Sequence, residues 1–90
     1  MLERRAHVRH NVNHRGILSF DDGRSAVTCQ LVNISEGGVL VRVDTPQLLP
    51  QLVSLIYDRL DERLPEVVAT LCTVVRREPK AAALKFLDVA

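Results

Sequence analysis

The sequence has no tryptophan, and Phe20, Tyr57 and Phe86 are its only aromatic residues. Proteins that read single-stranded nucleic acid stack bases on aromatic rings, so an RNA-binding surface would have almost nothing to stack on once Phe20 and Phe86 enter a core. Cysteine is nearly as scarce. Cys29 and Cys72 lie far apart inside apolar runs and form no Cys-x-x-Cys pair, so they read as small buried hydrophobes rather than a disulfide framework. No apolar run approaches the ~20 residues of a membrane-spanning helix, which argues against membrane insertion. Met1-Leu2 leads directly into charged residues without an apolar signal segment, so the expected compartment is cytoplasmic. An excess of one charge sign is missing too. Twelve basic residues face eleven acidic ones, a net charge of +1, which says little about partners until its distribution is read.

What the chain does have is 90 residues with 47% hydrophobic content, enough for one small folded domain. A chain of this size buries only about 60 to 65% of its unfolded surface. The charge is uneven. Residues 1–15 hold Arg4, Arg5, Arg9 and Arg15 against Glu3 alone, so a basic N-terminal arm, residues 1–12, precedes a nearly neutral body, residues 13–90. Lys80 and Lys85 are the only lysines beside ten arginines, and a planar fork of donors suits phosphates and guanine edges better than a lysine point charge. An anionic partner is expected.

The body reads as strands. Ile17, Leu18 and Phe20 mark one from His14 to Phe20, and Asp21-Asp22-Gly23-Arg24 supplies a hairpin turn. Val27, Cys29 and Leu31 alternate with Thr28 and Gln30, and Val39, Val41 and Val43 alternate with Leu40 and Arg42, the period of a sheet with one buried face. Residues 47–64 carry two patterns, since Leu48, Leu52, Leu55, Ile56 and Leu60 recur at helical spacing while residues 53–57 read as a buried strand. Strand plus loop is the preferred reading. Val67 to Arg77 is too rich in Val and Thr for a comfortable helix and forms the longest strand, and Ala82 to Leu87 forms the last. Six short strands joined by tight turns predict an all-β fold, a six-stranded antiparallel barrel that leaves no sheet edge exposed.

Between the second and third strands lies Asn33-Ile34-Ser35-Glu36-Gly37-Gly38. The short side chains of Asn33 and Ser35 hydrogen-bond local backbone readily, and Gly37 and Gly38 permit positive φ and close approach of another molecule to the main chain. A plain hairpin would need only the glycines. Taken with Arg5-x-x-x-Arg9, which Arg4 extends to Arg-Arg-x-x-x-Arg, the Asn33-x-Ser35-x-x-Gly38 turn resembles the paired signature of the PilZ domain family. Ala83-Leu84-Lys85-Phe86-Leu87 is similar to that family's closing strand, and the likeness extends over nearly the whole chain. Residues 47–64 depart from it in lacking the glycine often found there.

The resemblance implies a receptor, without catalysis or cofactor, for the bacterial second messenger cyclic di-GMP. Its ligand-binding residues would be Arg4, Arg5, Arg9, Asn33, Ser35, Gly37 and Gly38, and the third guanidinium, Arg4, favours a stacked pair of ligand molecules. Leu2, Val8 and Val12 are the only sizeable aliphatic residues of the arm after Met1, so a mobile arm is expected. Ligand would fold it across the barrel and create a surface for an unidentified downstream protein. Two other classes remain beside this one: a PilZ-like interaction module without ligand, and the small RNA-binding barrel. His7, His10 and His14 would align as metal ligands on a helix, yet such a helix would have no apolar face to dock and no acidic partner nearby. They read instead as pH-dependent positive charge on the arm. Ser35 sits in no Gly-x-Ser-x-Gly elbow, which argues against a hydrolase.

Overall fold

The computed structural model describes residues 10–59 and 66–87. Six strands, β1 (His10–Phe20), β2 (Ser25–Ile34), β3 (Gly38–Arg42), β4 (Leu52–Arg59), β5 (Glu66–Glu78) and β6 (Ala81–Phe86), close into a barrel. The order around it is β1-β2-β3-β6-β5-β4, with β4 returning to β1, and each neighbouring pair is antiparallel. The all-β six-stranded barrel expected from the sequence is therefore the observed fold.

Period-two patterning fills its interior. Val39, Val41 and Val43 point inward and are buried, as are Leu18, Leu31, Val53, Leu55, Cys72, Val74 and Leu84. Phe20 and Phe86 are only partly buried but pack against this cluster, along with Val27, Ile34 and Tyr57. The β1–β2 hairpin turns on Asp21 and Asp22, with φ of 58° and 55°, and the Gly23 N–H donates to the Phe20 carbonyl at 3.1 Å. Positive φ at both central residues is the type I′ geometry, whose twist matches that of the flanking strands.

Residues 47–59 settle as a short 3-10 turn, Pro46–Leu48, followed by β4, while residues 60–64 of that ambiguous segment lie outside the described residues. A helix there would have buried Leu48 and Leu52 together with Leu55. In the barrel Leu48 is 73% and Leu52 52% exposed, while Val53 and Leu55 point inward opposite Cys72 and Thr70. Arg77 ties the turn down from β5, its Nε donating to the Pro46 carbonyl at 3.2 Å and its Nη2 to the Leu49 carbonyl at 2.8 Å. Strand β1 starts four residues before the expected His14, so pairing with β2 takes in His10 and Asn11, which the sequence reading assigned to the arm. His10 and His14 thus lie on a strand, which removes the helical alignment that a histidine metal site would need. The His14 Nε2 donates to the Asp58 carbonyl at 2.9 Å.

Candidate functional site

The Asn33–Gly38 stretch bridges the end of β2 and the start of β3. Its most informative feature is a change of phase. Residues opposed on neighbouring strands share a face. Leu31 opposes buried Val41 and Ile34 opposes buried Val39, so both face the core, whereas Asn33 opposes Leu40 on the outer face. Strict alternation from Leu31 would have turned Asn33 inward. The register shift between Leu31 and Asn33 inserts one extra residue, Val32, and this bulge re-aims Asn33 outward. The facing stretch of β1, between Asn11 and His14, is irregular at the same level of the barrel.

Ser35 holds the turn closed. Its N–H donates to the Gly38 carbonyl at 2.9 Å, and its Oγ accepts from the Gly37 N–H at 3.3 Å while lying 3.4 Å from the Gly38 carbonyl oxygen. The Gly37 carbonyl in turn accepts from the Phe86 N–H at 3.0 Å, which fastens the turn to the end of β6. One acceptor position of the Ser35 hydroxyl stays available for another molecule.

Gly38 behaves differently from the sequence expectation. It does not adopt positive φ, and the backbone that approaches it closely is the protein's own. A β-carbon there would overlap the Leu84 carbonyl oxygen and sit 3.3 Å from the Leu84 carbonyl carbon, so glycine is required for β3 to pair with β6. The structure brings Asn33, Ser35, Gly37 and Gly38 together, and Arg4, Arg5 and Arg9 lie outside the described residues. The sequence reading gave no site role to Arg15 or Arg42, which stand exposed on the outer face to either side of Gln30. Period-two counting from the buried Val41 was enough to put Arg42 there.

Cys29 and Cys72 are free thiols inside the core, and burial pushes both up to about 11. At neutral pH they are uncharged and unreactive, in keeping with a packing role.

The model of the PilZ domain family matches residues 3–90. The chain belongs to the PilZ family. PilZ domains form a cyclic di-GMP-binding family whose members are typically receptor or effector modules without catalysis. Among curated proteins there is no match. Among solved structures, this PilZ domain is similar to the Bacillus subtilis inhibitor of motility MotI/DgrA, with a TM-score of 0.78 and 20% identity, covering 99% of this chain and 45% of that one. It is also similar to the PilZ domain of CeSA from a cellulose-synthesising bacterium, with a TM-score of 0.71 and 16% identity, covering 92% of this chain and 83% of that one. At these identities the likeness is one of fold. The chain spans less than half the length of the Bacillus protein. No helix among the described residues is long and apolar enough to cross a membrane.

Proposed function

We propose that this PilZ domain is a cyclic di-GMP receptor that binds its ligand between the arginines of residues 4–9 and the Asn33–Gly38 turn. One observation carries the reading: β1 begins beside the turn, with His10 opposite Ile34 and Asn11 opposite Asn33. Arg9 is bonded directly to His10, and the five residues from Arg5 to His10 span at most about 18 Å of main chain. Chain connectivity therefore keeps Arg5 and Arg9 within reach of the turn at this end of the β1–β2 ladder, although the two halves of the signature are more than twenty residues apart in sequence.

The ligand's chemistry fits that junction. Each guanine offers O6 and N7 to a bidentate guanidinium, and the two phosphates attract whichever arginines remain. Asn33, turned outward by the Val32 bulge, and the spare acceptor of Ser35 supply neutral hydrogen bonds from the barrel. Charge-assisted hydrogen bonds contribute about 1.5 to 3 kcal/mol each, so several are needed to offset the entropy of ordering the N-terminal residues. Arg4 adds a guanidinium that supports a stacked ligand pair. The signal would pass to a downstream protein through the conformation of residues 1–9.

Isothermal titration of the chain with cyclic di-GMP, with GTP and a short RNA as controls, tests this. Saturation at two ligands per chain is expected, with binding weakened at least tenfold, about 1.4 kcal/mol, by Arg5→Ala, Arg9→Ala or Asn33→Ala. Unchanged affinity in all three variants refutes the site, and saturation at one ligand refutes the pair.

A further inference from the structure

The β2–β3 ladder ends at Gln30 opposite Arg42, yet β2 continues to Ser25. Beyond Arg42 the pairing with β2 stops, while the Val43 N–H extends the β3–β6 ladder by donating to the Lys80 carbonyl at 3.0 Å. Over residues 25–29, β2 is therefore paired with β1 alone. A wedge opens between that free edge and residues 43–44, forming a groove of about 740 Å³. Arg15, Arg42 and Lys80 line it, Asp44 is its one carboxylate, and none of the three cations makes an ion pair among the described residues. Cys29 and Val43, both buried, form its apolar floor.

We propose that this groove takes an extended acidic segment of a partner protein, which adds to β2 as the strand that β3 does not supply. A free edge of N–H and C=O groups pairs with another backbone. Five residues of strand span about 17 Å, long enough to specify register. Side chains of the added strand alternate between two environments. Those facing outward meet Arg15, Arg42 and Lys80, and those facing inward lie over Cys29 and Val43. The recognised segment therefore alternates acidic with small apolar residues. Three cations against one carboxylate select for negative charge, and the absence of aromatic rings along the groove disfavours nucleic acid, whose bases would have no stacking surface. Arg15 and Arg42 lie outside the Arg-x-x-x-Arg and Asn-x-Ser-x-x-Gly signatures, so substituting them leaves the motif residues themselves in place.

The probe is a capped heptapeptide of alternating glutamate and valine, titrated into the 90-residue chain while amide resonances are followed. Saturable shifts confined to residues 25–30 and 42–44 are expected. Affinity should fall at least tenfold in the double variant Arg15→Glu, Arg42→Glu, and a lysine–valine peptide should not bind. N-methylation of alternate peptide amides on the wild-type chain should also cost at least tenfold, a readout that does not depend on the variant folding. The proposal is overturned if the heptapeptide does not bind, if the N-methylated peptide binds equally well, or if a short oligouridylate produces the same shifts at lower concentration.

Discussion

An added methyl at Gly38 would meet the Leu84 carbonyl oxygen across the β3–β6 ladder. Gly38→Ala should consequently destabilise the free barrel, by about 1 to 3 kcal/mol as for other overpacked sites, before any ligand contact is considered. A thermal melt without cyclic di-GMP checks this, and an unchanged melting temperature would show that the glycine is retained for ligand approach instead. The two core cysteines make a second residue-scale prediction. Burial raises both thiols from 9.0 to about 11. Below pH 9 the thiols are protonated in the folded and unfolded chain alike. Between pH 9 and 11 the unfolded chain releases protons that the folded chain retains, so stability falls as pH rises, on the order of 1 kcal/mol per pH unit for each cysteine. Urea midpoints at about pH 8 and about pH 10.5 should show this loss, and the Cys29→Ala, Cys72→Ala double variant should lose less stability over the same interval.

At the scale of elements, the 3-10 turn before β4 depends on one arginine, since Arg77 reaches the Pro46 and Leu49 carbonyls with two different guanidinium nitrogens. Lysine has no such fork. Arg77→Ala should cost about 1.5 to 3 kcal/mol and Arg77→Lys nearly as much, with faster amide exchange at Leu48 and Leu49, whose N–H groups close this turn. Full protection of those amides in both variants would contradict the assignment. Local sequence gives no sign of this contact, because Arg77 lies 31 and 28 residues from its partners. Strands β2 and β3 were legible because Val27, Cys29, Leu31, Val39, Val41 and Val43 alternate with residues that face water. The sequence of β4 admits two periods, and pairing with β1 and β5 on either side decides between them. The bulge at Val32 left a trace that alternation alone did not interpret. Apolar positions 27, 29 and 31 continue at 34 instead of 33, and that slip of one residue is what places Asn33 on the outer face.

For the whole molecule, barrel closure limits where a conformational signal can arise. Every strand has two neighbours around the ring, and the turn bearing Asn33, Ser35 and Gly37 is hydrogen-bonded to itself and to β6. A ligand binding there has little backbone to rearrange within the barrel, whereas residues 3–9 precede His10, where β1 begins. If cyclic di-GMP bridges Arg5 and Arg9 to Asn33 and Ser35, its binding should be read out in those N-terminal residues and not in the strands. Backbone order parameters for residues 3–9 should rise toward about 0.85 at saturating ligand, while those of β1 to β6 stay constant. Such a coupling requires the ligand to favour one conformation of these residues over others by its own contacts. The Arg9→Ala chain, titrated to the same saturation, should therefore show a smaller rise. Order parameters of residues 3–9 that are the same with and without ligand would mean that cyclic di-GMP binds to a preformed surface, and the signal would have to leave the domain by another route.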